Sequence, residues 1–169
     1  MSPTDERPRA RFKTTPEDFQ VEELEAYPAS GRGEHVFVRF EKRMLTTEAA
    51  VRGIAHALGA DPRQAGFAGM KDKVGVTVQT ASFLVPLARD PETLLGALRD
   101  ERIRVLSVSR HDNKLKPGHL RGNRFRVVLR GLDAPARERV LGALAEGAAR
   151  GVPNAFGPQR FGRDGGNPD

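Results

Sequence analysis

The sequence predicts an α+β fold, in which a mixed and largely antiparallel sheet carries helices on one of its faces. Two observations predict it. Stretches that alternate with the period of a strand are separated in some places by helical segments and in others only by loops. Each helical segment has one apolar side, as expected for a helix that covers a sheet. At 169 residues, the chain is about the size of one domain.

Two strands are predicted near the amino terminus. "EDFQVEELEAYP" alternates weakly, with Phe19 and Val21 on one side. "EHVFVRFEKR" alternates clearly, and one of its faces consists of Val36, Val38 and Phe40. The dozen residues before these strands are polar and proline-rich, which is typical of a loose arm.

A helix is predicted next, with Thr47 as its cap and Gly59 as its end. Its apolar side is formed by Val51, Ile54, Ala55 and Leu58. The stretch "VTVQTASFLV" is rich in β-branched residues and predicts another strand. A short helix follows, with Asp90 as cap and Pro91 in its first turn.

Two strands and one helix complete the predicted elements. "RIRVLSVSRH" and "NRFRVVLRGL" read as strands, joined by the basic loop "HDNKLKPGHLRG". The last helix is predicted from about Pro135 to Arg150 and ends at Gly151. Its inward side is predicted to be Val140, Leu141, Leu144 and Ala148.

The composition changes after the last helix. We therefore expect one domain over residues 1–150. Residues 151–169 are glycine-rich, poor in aliphatic residues and interrupted by phenylalanines. Because they reach Asp169 without a closing element, we expect the chain to continue past this position.

The net charge of +6 and the isoelectric point near 10.3 favour a polyanionic partner such as a nucleic acid. An arginine-rich composition inherited from a GC-rich genome would give the same balance. Charge alone leaves these two interpretations open.

Several classes of protein are excluded or disfavoured. The absence of cysteine excludes disulfides, thiolate metal sites and thiol catalysis. No apolar run approaches the roughly 18 residues that a membrane span requires. The amino terminus shows no secretory signal, so we expect a cytoplasmic protein without membrane contact.

Known catalytic motifs are also missing. The four histidines form no metal-binding pair at helical spacing. The stretch "GFAGMKDKVG" lacks the Gly-Lys-Ser/Thr of a phosphate-binding loop, and neither a dinucleotide-binding glycine motif nor a serine nucleophile elbow occurs. What remains is the chemistry of an aspartate.

Asp72 lies between Lys71 and Lys73, just after a turn of small residues. It has two interpretations. Asp and Gly favour turns, so Asp72 reads as an ordinary solvated residue. The small residues also allow a ligand to come close, and the flanking lysines favour an ionised carboxylate that acts as nucleophile or base.

Four stretches resemble the TruD-type family of tRNA pseudouridine synthases, in the same order and spacing. They are "PEDFQVEE" with "GEHVFVRFEKR", "AGMKDKVGVTVQ", "LKPGHLRGNRFRVVLR" and "GVPNAFGPQRFG". The similarity runs from about Phe12 to Asn167. It implies the first half of a pseudouridine-synthase catalytic core, followed by the start of a large inserted domain. The chain is therefore expected to be an amino-terminal fragment.

The resemblance implies isomerisation of uridine to pseudouridine in the D-arm of tRNA. Asp72 matches the catalytic aspartate, while Phe19, Asn123 and Phe125 match positions that bind the uridine. Without the family, Phe19 and Phe125 read as ordinary strand core. A supporting role is implied for five further residues: Lys13, Lys71, Asn154, Gln159 and Arg160.

The resemblance also implies tRNA as the partner, no metal or coenzyme, and a monomer when the protein is complete. A second interpretation stays open at this point. A chain that holds half of a catalytic core could bind RNA through its basic residues and catalyse nothing.

Overall fold

The computed structural model describes residues 9–152. They belong to two compact units, one formed by Arg11–Arg130 and the other containing the residues from Gly131 onward. The larger unit contains the whole sheet and two of the three helices.

The sheet has six strands: β1 (Phe19–Glu25), β2 (His35–Arg43), β3 (Gly66–Phe67), β4 (Val76–Leu84), β5 (Ile103–His111) and β6 (Leu120–Val127). Their order is β5-β2-β4-β1-β6, with the short β3 paired to β4. The β1–β4 pair is parallel and the other pairs are antiparallel. The predicted fold class is confirmed.

Helix α1 (Thr47–Leu58) packs on one face of the sheet and forms the core with it. The alternation of β2 places Val36, Val38 and Phe40 on this face, where they are fully buried. The predicted apolar side of α1 is buried with them, and Gly59 ends the helix in the left-handed conformation that glycine adopts readily.

The predicted cap of α1 is wrong by one residue. The Thr46 side chain accepts the hydrogen bond from the Ala49 backbone N–H, so Thr46 is the cap and Thr47 is the first helical residue. Thr47 is fully buried. Two adjacent threonines satisfy the sequence pattern equally, and only the tertiary position of each hydroxyl separates them.

The remaining helices are α2 (Pro91–Leu95) and α3 (Ala134–Arg150), the latter in the smaller unit. Asp90 caps the amino terminus of α2, as predicted. The bounds of α3 agree with the prediction, but its apolar side is wrong. Leu141, Leu144 and Ala148 are exposed, because α3 is the one element described in its unit and none of the described residues of that unit covers this side of it.

Among the helices of the described residues, none has the length and apolar character that crossing a membrane requires. The predicted domain boundary near residue 150 stays a prediction, since residues 153–169 lie outside the described range.

Candidate active site

Asp72 lies in the connection between β3 and β4, residues 68–75, which we call the Asp72 loop. Its side chain is 45% exposed, and its Oδ2 lies 3.4 Å from Nζ of Lys13. The lysine side chain is the more buried partner at 25%. The carboxylate is therefore accessible on one side and faces a cation on the other.

A cavity of about 170 Å³ opens beside the Asp72 loop. Its walls are the loop and the facing pair of strands β1 and β6, in which Val21 is opposite Phe125. The residues around it are Val21, Met70, Lys71, Asp72, Asn123 and Phe125. The structure thus brings together four of the predicted site residues: Lys71, Asp72, Asn123 and Phe125.

Phe19 and Lys13 extend this cluster. The rings of Phe19 and Phe125 have their centroids 6.2 Å apart at an interplanar angle of 53°. Nζ of Lys13 lies 4.0 Å from the centroid of the Phe19 ring, within cation–π range. Lys13 adopts a left-handed backbone conformation with φ of 57°, which is uncommon for a residue other than glycine.

The core interpretation of the two phenylalanines is wrong for Phe125, whose side chain is 60% exposed. Phe19 is half-buried. An exposed aromatic ring beside a cavity offers a flat face to which a base can stack.

Gly75 allows the end of the Asp72 loop to lie close to β1. Its φ is 142°, and a Cβ atom at this position would lie 2.5 Å from the Phe19 carbonyl oxygen. Only glycine fits such an approach, so the absence of a side chain at Gly75 allows the loop to lie against the strand that bears Phe19.

Lys71 is part of an anchor beneath the cavity. Its Nζ lies 2.6 Å from Oε2 of Glu23, and the two side chains are 5% and 2% exposed. The other carboxylate oxygen of Glu23 accepts the backbone N–H of Thr80 on β4 at 3.2 Å. The charge of Lys71 is therefore paired with Glu23, while Lys13 is the cation that faces the Asp72 carboxylate.

Lys42 of β2 reaches the Asp72 loop from below. Its Nζ donates hydrogen bonds to the carbonyl oxygens of Asp72 at 2.7 Å and Leu45 at 2.8 Å, with Lys71 O at 3.4 Å. The residue is 1% exposed. The pKa of Lys42 is lowered to about 8, chiefly by burial, with a smaller contribution in the same direction from the neighbouring Lys71, while the charges of Asp72 and Glu48 oppose the shift.

Thr47 holds the same loop from α1. Its hydroxyl oxygen accepts the backbone N–H of Lys71 at 3.0 Å and donates to Oε1 of Gln79 on β4 at 2.9 Å. Sequence reasoning missed Lys42, Glu23 and Thr47. Lys42 did leave a signal, since it continues the buried face of β2 two residues after Phe40, where another apolar residue is expected.

Asp18 and Arg130 fasten the ends of β1 and β6 next to this site. The guanidinium donates from Nε and from one terminal nitrogen to the two carboxylate oxygens at 2.8 and 2.7 Å. This bidentate hydrogen bonding by Arg130 holds the pKa of the Asp18 carboxyl well below its usual range.

Three predicted supporting residues, Asn154, Gln159 and Arg160, lie outside the described residues. Their roles stay predictions.

The sequence profile of tRNA pseudouridine synthase D (TruD) matches residues 4–167. The chain belongs to this family. A curated tRNA pseudouridine synthase D from Anaeromyxobacter sp. is 53% identical over 156 residues, which cover 92% of the chain and 43% of that relative. One from Geotalea daltonii is 49% identical over 154 residues, covering 91% and 38%.

Solved structures agree with the family. The crystal structure of the putative tRNA pseudouridine synthase D from Methanosarcina mazei superposes with a TM-score of 0.76 at 28% identity, covering 90% of the chain and 35% of that protein. The chain thus spans about two fifths of the length of the curated pseudouridine synthases that it matches, and the fold described above corresponds to part of a TruD-type catalytic core.

Proposed function

We propose that the chain supplies the catalytic aspartate of an enzyme that isomerises uridine to pseudouridine in tRNA, and that Asp72 is this residue. For a chain of this family, one structural observation supports the proposal. The half-exposed Asp72 carboxylate shares a cavity with Asn123 and the exposed Phe125 ring. A carboxylate, an amide and an aromatic face are the groups that the reaction requires on the protein side.

The reaction breaks the bond between ribose C1′ and uracil N1 and rejoins the base through C5. The hydrogen on C5 leaves as a proton and N1 gains a proton, so the overall change is an isomerisation. Asp72 either attacks C1′ and forms an ester that is later displaced, or removes the proton from C2′. Both routes use the same carboxylate, and no metal or coenzyme takes part in either.

The other site residues hold the base in this proposal. Enzymes that act on a base in folded nucleic acid take it out of its stack and bind it between aromatic faces and polar groups. The exposed ring of Phe125 is proposed to stack on the uracil, and the Asn123 amide to pair with its polar edge. Phe19 supports Phe125, and Lys13 orients the Asp72 carboxylate.

The experiment follows from the loss of hydrogen at C5. tRNA with tritium at uridine C5 is incubated with the chain, and separately with an extended chain, made by joining it to the carboxyl-terminal remainder of the Anaeromyxobacter sp. relative. Tritium released to water measures turnover, and sequencing of the product identifies the modified uridine, which we expect in the D-arm.

The decisive variant is Asp72→Asn in the extended chain. It removes the nucleophilic charge at nearly constant size, so tritium release should stop while tRNA affinity stays within a few-fold, because phosphate contacts dominate affinity. Asp112→Asn is the matched control, since Asp112 is a surface aspartate paired only with Arg32 among the described residues. Turnover by Asp72→Asn would refute the proposal, and tRNA binding without turnover by the unsubstituted extended chain would support a basic RNA-binding role instead.

A further inference from the structure

We propose that Lys42 is the positioning residue of the Asp72 loop, and that its ammonium group fixes the direction in which the Asp72 carboxylate projects. The inference rests on the proposed function for its catalytic consequence. The structural part, a buried cation that binds the two loop carbonyls on either side of the Asp72 Cα atom, stands without it.

The geometry of the contacts carries the argument. An ammonium group has three N–H donors and no acceptor. At Lys42 the three donors face three backbone carbonyls, those of Leu45, Lys71 and Asp72. Within the described residues, every hydrogen bond of this ammonium goes to a backbone oxygen.

Two of these carbonyls flank the Cα atom of Asp72. The Lys71 carbonyl belongs to the peptide unit before Asp72, and the Asp72 carbonyl belongs to the unit after it. Peptide units are planar, so only the φ and ψ angles between them are free. A single cation that binds both carbonyls limits both angles and therefore the direction of the Cα–Cβ bond.

Two other anchors of the loop act on Lys71 and not on the carbonyl of Asp72. Thr47 accepts the Lys71 N–H, and Glu23 pairs with the Lys71 side chain. Both hold the residue before Asp72. Among the described contacts, Lys42 alone reaches the Asp72 carbonyl from another element of the fold.

The charge of Lys42 is also informative. A buried cation is unfavourable unless it is paired or fully hydrogen-bonded, and an apolar residue would fill the same core-facing position of β2 without that cost. The charged groups that face Lys42 are Asp72 and Lys71 on the loop and Glu48 on α1. The hydrogen bonds to three backbone carbonyls explain why a charged lysine, and not an apolar residue, occupies this position.

The test compares Lys42→Met with Phe40→Leu. Phe40 lies on the same strand and the same face and is equally buried, but it packs in the α1 core rather than against the loop. In the extended chain, Lys42→Met should lower kcat at least 100-fold with KM within threefold, whereas Phe40→Leu should keep kcat within twofold. In the 169-residue chain, Lys42→Met should speed hydrogen exchange of the amides of residues 70–75 at least tenfold relative to those of α1.

A second measurement needs no substitution. In the unsubstituted chain, the exchange protection of residues 70–75, corrected for intrinsic rates, should fall between pH 7 and 9.5 relative to that of α1, as Lys42 loses its proton. This measurement decides the matter if Lys42→Met fails to fold. Unchanged loop protection across this range, or wild-type kcat and exchange in Lys42→Met, would overturn the proposal. Activity in Asp72→Asn would instead overturn the assignment of Asp72, so the two failures are distinguishable.

Discussion

Nζ of Lys13 lies 4.0 Å from the centroid of the Phe19 ring. The same atom faces the Asp72 carboxylate at 3.4 Å. One cation therefore joins the aromatic wall of the cavity to the proposed catalytic group. Because the Lys13 side chain is only 25% exposed, its position is set by packing more than by solvent.

Lys13→Met should lower kcat/KM of the extended chain about 10- to 100-fold, by removing a charge that orients Asp72. That decrease corresponds to a loss of about 1.4–2.7 kcal/mol of transition-state stabilisation. Tritium release measures the effect. Lys73→Met is the control, because Lys73 is an exposed lysine of the same loop with no described partner. Equal losses in both variants would mean that only the general positive potential matters.

Phe125→Ala should reduce kcat/KM about 5- to 150-fold, since stacking of a base on an aromatic ring is worth about 1–3 kcal/mol. Protein stability should change little, because the ring is 60% exposed. Leu106→Ala removes a comparably exposed apolar side chain from β5, at the other edge of the sheet. A similar loss of activity in Leu106→Ala would remove the evidence for stacking.

Thr47→Val should lower the free energy of unfolding by about 1–3 kcal/mol, because it leaves the Lys71 N–H and the Gln79 side chain without their partner. Denaturant unfolding measures the change. Thr77→Val is the matched control: Thr77 is fully buried on β4, and its hydroxyl has no partner among the described residues. That variant should be neutral or stabilising, and equal destabilisation of the two would contradict the role of Thr47.

Asp18→Asn should flatten the loss of stability in acid. The folded-state pKa of Asp18 lies below its unfolded value of about 3.9, so the folded state binds fewer protons. The stability contributed by the Asp18–Arg130 pair is complete above that value and is lost as pH falls below it. Urea unfolding between pH 6 and 2.5 should therefore show a smaller decrease for Asp18→Asn, and parallel curves for the two proteins would contradict it.

The basic loop between β5 and β6 should contribute to RNA binding. Lys116 is exposed and Lys114 half-exposed beside a shallow basin. Replacing both with alanine should make the slope of log affinity against log salt concentration shallower by about 1–2. Arg52→Ala on α1 serves as the control. An unchanged slope in the double variant would mean that these lysines are solvated surface residues that do not contact RNA phosphates.

The sequence allowed the sheet to be predicted because alternation in β2 distinguishes a buried face from an open one. Val36 and Val38 are fully buried, as their period of two requires. The sequence pattern of α3 did not allow the burial of its apolar side to be predicted. An apolar side indicates that a helix can be covered, but it does not say by what, and Leu141 and Leu144 are exposed.

The contacts that hold the Asp72 loop in place could not be predicted in the same way. Glu23 and Lys71 are 48 residues apart, and their pairing depends on how β1 and the Asp72 loop meet in three dimensions. The family resemblance supplied Asp72, Asn123 and Phe125, which the structure places around one cavity. The carbonyls that Lys42 binds belong to the backbone, so no pattern of side chains in the sequence predicts these contacts.

The pairing of β1 with β6 has a consequence for the time at which the site comes into being. Phe19 is opposite Val127, so this pair closes a loop of about a hundred residues. Closure over such a distance carries a large entropic cost and is slow compared with local contacts. During synthesis, α1 and the β2–β4 pair can form while β6 is still inside the ribosome. Phe125, the second aromatic residue of the candidate site, lies on β6, so a nascent chain has no complete candidate cavity until residues near 130 have emerged.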